Sequence, residues 1–371
     1  MAAAGTSGFQ AMKACLAVTF ALLSFSHAFA QSRKTENLVV IVLDGMRWQE
    51  VFEGADSALI NKPQFTRNKD RIKSRYWNDD AKKRREKLMP FFWNTVAAQG
   101  VVYGNRNFGN TADVTNPFRL TYPGFSEMLT GFADPAISSN RLVTSKSQNV
   151  LEFINRQNAY QGKVAVFATS DLFPFLLDRA NSKLYINADS DSLAFLSKEF
   201  QLLNEMQRLS NKPTTERPDL LTYFAAREYV KAYKPKVLYL ALGETDAFAH
   251  QGNYDQYLET AKAEDQMISE LWTLMQSMPQ YKDKTTLIVT CDHGRGNQIK
   301  EQWIGHGAQI KDSGEIWIAA MGPDIKASGE AKNKGQLYQA QLAATMAAIL
   351  GFDFQPETHK AMEPIRSLIL K

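Results

Sequence analysis

The stretch "NLVVIVLD", residues 37–44, is an apolar run rich in valine that ends in an aspartate. Such a run is typical of a strand buried on both faces of a parallel sheet. Other runs of the same character lie at residues 163–169, 236–243, 285–292 and 315–322. We predict that these runs form the strands of one central sheet.

Segments with helical periodicity lie between or after these runs, at residues 88–100, 149–157, 193–209, 219–233, 254–278 and 335–351. Alternation of strand and helix predicts an α/β fold, a three-layer sandwich whose central, mostly parallel sheet carries helices on both faces. No repeat or low-complexity linker marks a boundary. Residues 31–371 are therefore expected to form a single domain, with insertions near 53–87 and 170–218.

Composition and the N-terminus restrict the class of protein. The 371 residues are 44% hydrophobic and 22% charged, which excludes disordered and fibrous classes. Lys13, an apolar stretch to Leu23 and the sequence Ala28-Phe29-Ala30 predict a signal peptide over residues 1–30. Its apolar core is too short for a permanent membrane anchor, so we expect a secreted protein of the bacterial periplasm. Cys291 alone then remains, and no disulfide can form within the mature chain.

A basic run at residues 67–87 holds ten basic and four acidic residues, whereas the net charge of the whole chain is only +4. Such runs bind nucleic acid or anionic lipid in some proteins. Acidic residues interrupt this one, and no nucleic-acid motif accompanies it. We interpret it as a solvated insertion, with attraction of anionic substrates as an alternative.

Ionisable side chains follow three of the apolar runs. Asp44 ends the first run, Asp246 and His250 follow "LYLALG", and Asp292 and His293 follow "LIVT". Each alone has a simpler explanation as a turn residue or a helix cap. In open α/β sheets, however, ligands bind beyond the carboxyl ends of the strands. Like charges gathered at that edge would repel each other unless a cation lies among them, which indicates a metal site.

The remaining histidines extend this set by one. His306 lies between glycines in "IGHGAQ" and is accessible, with a loop histidine as the alternative interpretation, whereas His359 is expected at the surface. Six candidate ligands are too many for one tetrahedral zinc, so we predict two divalent ions about 4 Å apart. Mixed carboxylate and imidazole ligands favour zinc, with manganese as the alternative. Cys291 is assigned to the core because neighbouring strand residues face opposite sides.

Thr121 is the candidate nucleophile for such a pair of ions. It precedes "YPGFSEMLTG", in which Pro123 suits the first turn of a helix. A hydroxyl there would face free N–H groups that favour an anion. A helix cap is the structural alternative, and the two roles are compatible.

These residues resemble the alkaline phosphatase superfamily, and within it the nucleotide pyrophosphatase/phosphodiesterase-like branch. The matching motifs are "LDGMR", "LTYPGFSEMLTG", "GETDAFAH", "TCDHG" and "GHGA", which occur in the family's order between Asp44 and Gly307. The final "YQAQLAATMAAILG" is similar to the family's last helix. The resemblance implies an alkaline phosphatase-like catalytic domain that hydrolyses small anionic phosphate esters.

The resemblance also implies a role for each residue. Asp44, Asp292 and His293 would hold one metal ion together with the Thr121 hydroxyl. Asp246, His250 and His306 would hold the second ion. The reaction would pass through a phosphothreonine that water hydrolyses. Asn140 would bind a phosphoryl oxygen, with Asn110 and Asn116 as alternatives.

Two departures limit what the resemblance implies about the substrate. Phosphodiesterase relatives read threonine, aromatic, proline, asparagine, histidine, whereas this chain has Gly124 and Phe125. Sulfatases need a cysteine or serine in place of Thr121, and phosphoglycerate mutases use a serine in the cytoplasm. Phosphomonoesters, phosphodiesters, phosphonates and sulfate esters therefore stay open, as do non-catalytic phosphate binding and the oligomeric state.

Overall fold

A mixed sheet of eight strands forms the centre of the protein in the computed structural model, which describes residues 34–194 and 197–370. The predicted signal peptide lies outside the described residues. The strand order is β10-β2-β9-β7-β1-β6-β4-β5, and a separate three-stranded sheet has the order β11-β3-β8. The strands are β1 (Asn37–Leu43), β2 (Gly100–Tyr103), β3 (Asn110–Asp113), β4 (Val164–Ala168), β5 (Tyr185–Ala188), β6 (Val237–Leu242), β7 (Thr285–Thr290), β8 (Glu315–Ile316), β9 (Ile318–Met321), β10 (Gly329–Glu330) and β11 (Gly335–Tyr338).

Strand β1 lies between β6 and β7 and is parallel to both. Its residue Leu43 pairs with Leu242, and Val42 pairs with Thr290, so the carboxyl ends of the three strands lie side by side. Every residue of the three strands is buried, which requires cover on both faces of the sheet. Only β9 runs antiparallel to its neighbours in this sheet. The predicted three-layer, mostly parallel α/β fold is thus confirmed.

Helices surround this sheet, and most of the predicted segments contain one. The long helices agree closely with the prediction because their apolar periodicity is sustained over several turns. The α-helices are α1 (Trp48–Glu53), α2 (Ser57–Ile60), α3 (Lys69–Tyr76), α4 (Ala81–Leu88), α5 (Ala97–Gln99), α6 (Thr121–Thr130), α7 (Val150–Asn155), α8 (Phe173–Leu176), α9 (Arg179–Ser182), α10 (Lys198–Leu209), α11 (Asp219–Tyr233), α12 (Glu244–His250), α13 (Tyr254–Ser277) and α14 (Gln341–Ile349). No described helix is both long enough and apolar enough to cross a bilayer.

The prediction is wrong where a short strand depends on a distant partner. Residues 335–351 were expected to be one helix, but 335–338 form β11, which pairs with β3, and the helix begins at Gln341. The expected strand 315–322 divides at the buried Trp317 into β8 and β9, which belong to different sheets. The expected helix 88–100 holds a π-helical turn over Phe92–Val96 and ends before β2.

The two expected insertions differ in structure. Residues 53–87 form short helices, and Arg71 and Arg75 there pair with Glu259 of α13. Residues 170–218 contribute β5, which extends the main sheet at its edge. The basic run therefore packs partly against acidic groups of the protein itself, as a helical insertion does.

Candidate active site

Three ligand candidates, Asp44, Asp292 and His293, form what we call the strand-end group, beyond the carboxyl ends of β1 and β7. The Nε2 atom of His293 lies 3.3 Å from Asp44 Oδ1 and 3.4 Å from Asp292 Oδ2. All three side chains are buried. The backbone N–H of Gly45 donates a hydrogen bond to Asp292 Oδ1 at 3.0 Å, which links the ends of β1 and β7.

The other three candidates, Asp246, His250 and His306, form the helix–loop group. Asp246 and His250 lie one turn apart on α12, with His250 Nε2 3.1 Å from Asp246 Oδ2. His306 comes from a loop and places its Nε2 3.0 Å from that of His250. The His306 ring stacks on His293 with centroids 3.8 Å apart, so the two groups are adjacent.

Unpaired buried oxygen atoms make the strand-end group suitable for a cation. Asp44 Oδ1 and Asp292 Oδ2 have no hydrogen-bond partner among the described residues, although both are buried. Burial, followed by the charge of Asp246, raises the pKa of Asp44 well above its usual value, and burial with Asp44 does the same for Asp292. A divalent ion between these oxygens would offset the free-energy cost of holding two ionised carboxylates in a buried place. The donor set of carboxylate oxygens and imidazole nitrogens fits zinc or manganese.

Hydrogen bonds at the outer ring nitrogens direct two imidazoles inward. His293 Nδ1 lies 3.0 Å from the carbonyl oxygen of Gly294, and His306 Nδ1 lies 3.0 Å from that of Arg119. A carbonyl accepts only from a protonated nitrogen, so each Nε2 is left with its lone pair towards the cluster. This arrangement is usual for histidines that bind a metal.

Arg295 is a part of the site that we did not predict. Its guanidinium is buried, donates to Asp246 Oδ1, and also donates through Nε to the carbonyl of Trp303 at 2.7 Å. Although burial alone would raise the pKa of Asp246, Arg295 and the nearby histidines hold it well below its usual value. The signal available in the sequence was a basic residue two positions after His293. Gly45 has φ +59°, and a Cβ there would lie 2.6 Å from Asp246 Oδ1. A glycine at this position therefore leaves room for the contact between Arg295 and Asp246.

Thr121 lies at the first position of α6, beside the strand-end group. Its Oγ1 is 3.3 Å from His293 Nε2. Leu120, in an extended conformation, occupies the cap position, so the interpretation of Thr121 as a helix cap is wrong. The threonine and four of the ligand candidates line one cleft, namely Asp44, Asp246, His250 and His306.

Asn140 lines the same cleft and has a free hydrogen-bonding capacity that its two alternatives lack. Its Oδ1 accepts the N–H of Tyr122 at 2.9 Å, which leaves the Nδ2 amide to the cleft. Asn110 uses both ends of its amide, with Gly104 and Asn333. Asn116 does the same, with Arg119 and Glu127. Of the three asparagines, Asn140 is therefore the one that lines the cleft with a free amide N–H group.

His359 and Cys291 lie apart from both groups. His359, which was expected at the surface, is half-buried, stacks on Phe132, and lies 2.7 Å through Nε2 from the Thr130 carbonyl. A contact with a neighbouring aromatic ring accounts for this burial. Cys291 is fully buried in the core, as predicted.

Comparison with known families identifies the relationship. The model of the type I phosphodiesterase / nucleotide pyrophosphatase family matches residues 60–350, which include every candidate residue except Asp44. This chain belongs to that family. Sequence comparison with curated proteins finds no match.

Solved structures share the fold of this family member at low sequence identity. The alkaline phosphatase PafA is 10% identical, with a TM-score of 0.58, over 91% of this chain and 99% of that one. The lipoteichoic acid synthase LtaP of Listeria monocytogenes is 12% identical, with a TM-score of 0.54, over 87% and 73%. A 2-O GAG sulfatase is 11% identical, with a TM-score of 0.54, over 90% and 74%. These structures show an alkaline phosphatase-like fold, and together with the family match they indicate a hydrolase of the alkaline phosphatase superfamily.

The two departures from the phosphodiesterase pattern have structural reasons. A Cβ on Gly124 would lie 2.5 Å from the carbonyl oxygen of Asp292, so only glycine allows α6 to approach the strand end this closely. Phe125 is buried and packs edge-on against Phe173 with centroids 4.8 Å apart. Neither residue lines the cleft.

Proposed function

We propose that this protein hydrolyses phosphodiesters with two bound divalent ions, zinc or alternatively manganese, and with Thr121 as the nucleophile. The observation that carries the proposal is the position of the Thr121 hydroxyl, 3.3 Å from His293 Nε2 and beside two unpaired carboxylate oxygens. The strand-end group would hold one ion and the helix–loop group the other. Bound there, the ions would lower the pKa of the Thr121 hydroxyl and neutralise charge that develops on oxygen.

The reaction proceeds in two displacements. Thr121 Oγ1 loses its proton to solvent and attacks phosphorus, and the bond from phosphorus to the leaving alcohol oxygen breaks. The leaving oxygen takes a proton from water. A water molecule then loses a proton to solvent and attacks phosphorus of the phosphothreonine. The bond from phosphorus to Thr121 Oγ1 breaks, Oγ1 takes up a proton from solvent, and a phosphomonoester is released. The Asn140 amide donates to a phosphoryl oxygen and orients it for in-line attack.

The carboxylates in the wall of the cleft favour a diester over a monoester. Asp171 and Glu216 line it beside the candidate ligands, and none of the described lining residues is a lysine or an arginine. A phosphomonoester brings two negative charges at neutral pH, whereas a diester brings one. Repulsion from Asp171, joined by Glu216 once that group ionises above about pH 7, therefore penalises the monoester more.

A sulfate ester is a second candidate, because it also carries a single negative charge. The same consideration applies to a phosphonate monoester. A cysteine or serine is the nucleophile that the sequence pattern of sulfatases requires, and Thr121 lacks that chemistry. We therefore rank sulfate and phosphonate esters after phosphodiesters.

Secretion belongs to this proposal and rests on the N-terminal pattern alone, with the basic Lys13, the apolar stretch and the Ala-Phe-Ala site. Determination of the N-terminus of the purified protein tests it. We expect the mature chain to begin at Gln31. A chain that retains residues 12–30 would contradict secretion by cleavage.

A comparison of esters tests the activity. The purified protein, with its metal content measured, is assayed on p-nitrophenyl phosphate, bis-p-nitrophenyl phosphate, p-nitrophenyl phenylphosphonate and p-nitrophenyl sulfate. We expect the highest kcat/KM for the bis ester and loss of turnover after treatment with a chelator.

The variant Thr121→Ala is expected to lower kcat by about 10⁴-fold or more, with Thr121→Ser as the control that keeps a hydroxyl. Full activity of the alanine variant would show that the nucleophile is wrong. Tight binding of phosphate without turnover of any ester would instead indicate a non-catalytic binding protein.

A further inference from the structure

Helix α12 carries two candidate metal ligands but has no capping side chain of its own. Gly243 occupies its cap position and has no side chain to offer. The first N–H groups of a helix have no partner within it, and leaving them unpaired in a buried place is costly. Another element must supply the acceptor.

Asp219, the first residue of α11, is that acceptor. Its Oδ1 accepts the N–H of Gly243 at 2.8 Å, and its Oδ2 accepts the N–H of Glu244 at 2.9 Å. Glu244 bonds in return, since its Oε2 accepts the N–H of Asp219 at 3.1 Å. The starts of α11 and α12 therefore cap each other across the fold.

The carboxylate of Asp219 is itself fixed and shielded from water. Its exposed fraction is 0%, and Thr169 at the end of β4 donates to Oδ1 at 2.5 Å. Glu264 of α13 is also fully buried nearby, and burial together with Asp219 raises the pKa of Glu264 well above its usual value. Burial raises the pKa of Asp219 as well, and the hydrogen bonds from Thr169, Gly243 and Glu244 act against that rise.

We propose that Asp219 is a positioning residue for the second metal ion, because its bonds to Gly243 and Glu244 fix the start of the helix that presents Asp246 and His250. This inference rests on the proposed two-metal function. Asp246 lies only two residues beyond Glu244, so a shift of the first turn moves its carboxylate directly. Metal ligands held by outer contacts of this kind lose about 10- to 100-fold in affinity when the contact is removed.

A matched control exists elsewhere on the sheet. Asp265 of α13 is 1% exposed and accepts two backbone N–H groups, from Phe91 at 2.9 Å and Phe92 at 2.8 Å. Neither of those residues is near α12 in sequence or carries a ligand. In both Asp219→Asn and Asp265→Asn one carboxylate oxygen becomes an amide that cannot accept, so each variant loses comparable backbone bonds.

The experiment is a zinc titration of the metal-free wild type and both variants against a chromophoric chelator, with the final zinc content measured by elemental analysis. We expect two ions in wild type, and two with affinities within about twofold of wild type in Asp265→Asn. Asp219→Asn should keep one affinity unchanged and weaken the other by about 10- to 100-fold. In a His250→Ala background, Asp219→Asn should lower the zinc affinity by a smaller factor than it does in wild type, because both changes act on the same ion.

Binding of both ions by Asp219→Asn with the affinities of Asp265→Asn would overturn the inference, and so would an equal loss of both ions. Fewer than two ions in wild type would overturn the proposed function and the inference together. Glu244→Ala decides the question if Asp219→Asn does not fold. Its partly exposed side chain makes it the milder change, and it should weaken one ion alone by severalfold, whereas unchanged affinity would contradict the inference.

Discussion

The two ligand groups are built from similar residues but are held in different ways. The strand-end group lies beyond β1 and β7, its three side chains are buried, and His293 is 0% exposed. The helix–loop group depends on a seven-residue helix and a loop, and the side chain of His250 is 47% exposed. The sheet itself fixes the first group, whereas outer contacts from Asp219 and Arg295 fix the second.

This difference predicts that the two groups respond differently to substitution and to loss of metal. We expect the buried group, which paired strands hold, to keep its geometry without the metal, at the cost of unpaired carboxylate oxygens. We expect the open group to admit the substrate and to exchange its ion more readily. Substitutions in the strand-end group should therefore remove activity, while those in the helix–loop group should weaken metal binding in a way that added metal reverses.

Among the candidate metal ligands, the largest effect is expected for Asp292→Asn. The change removes a charge from the buried pair with Asp44 and leaves an amide where a metal ligand is needed. We expect kcat on the bis ester to fall by about 10³-fold or more, with no recovery at raised zinc concentration. A variant that regains activity with added zinc would show that the strand-end group is as exchangeable as the other one.

The exposed ligand His250 should be less critical. In His250→Ala we expect kcat/KM to fall by about 10- to 100-fold at low zinc and to recover at high zinc, because Asp246 and His306 still provide ligands. Zinc-dependent kinetics of the variant and of wild type measure this. Loss that no zinc concentration restores would remove the distinction between the groups.

Arg295 should matter most when the metal is absent. It is the buried cation that bonds to Asp246, so Arg295→Met leaves Oδ1 of that carboxylate without its cationic partner, and only the histidines remain beside it. We expect the free energy of unfolding in the presence of a chelator to fall by about 3 kcal/mol, and by less in the presence of zinc. Urea unfolding under both conditions tests this, with Arg295→Lys as the control that keeps the charge. An equal loss of unfolding free energy with chelator and with zinc would mean that Arg295 stabilises the protein through its hydrogen bonds to loop carbonyls and not by balancing the charge of Asp246.

The smallest effect is expected for Glu216 in the cleft wall. Burial raises the pKa of Glu216 to about 7, so this carboxyl is charged at pH 9 and neutral below about pH 6. At pH 9 Glu216→Gln should raise the ratio of monoester to diester kcat/KM by about fivefold, since one repulsive charge is removed. Below about pH 6 the variant and wild type should have the same ratio. A change of the ratio that persists at low pH would point to shape rather than charge.

The sequence was sufficient for the parts of the protein that depend on local pattern. Long apolar runs predicted β1, β6 and β7, and long periodic segments predicted α11 and α13. Because parallel strands end at one edge of a sheet, the residues after three runs could be expected to meet, and they do. Short edge strands such as β11 escaped prediction, because its four residues are mostly exposed and their pairing with β3 is distant in sequence.

Arg295 and Asp219, which are not candidate ligands but contact a ligand or its helix, could not be predicted from the sequence. An arginine is ordinarily a surface residue, and nothing local marks Arg295 as buried beside Asp246. Asp219 reads as an ordinary acidic residue in the first turn of its own helix, yet its carboxylate serves the helix that follows the next strand. Asp219 meets the backbone of Gly243 and Glu244 only because α11 packs against β6 and the start of α12.

The sequence by itself determined the fold class, the family motifs, the six candidate ligands and the candidate nucleophile. Residue type, apolar period and order along the chain carry that information. The tertiary structure decided the division between a buried and an open ligand group, the preference for Asn140 over its alternatives, and the need for Gly124. These depend on distances between residues far apart in sequence, which exist only once the strands and helices have packed.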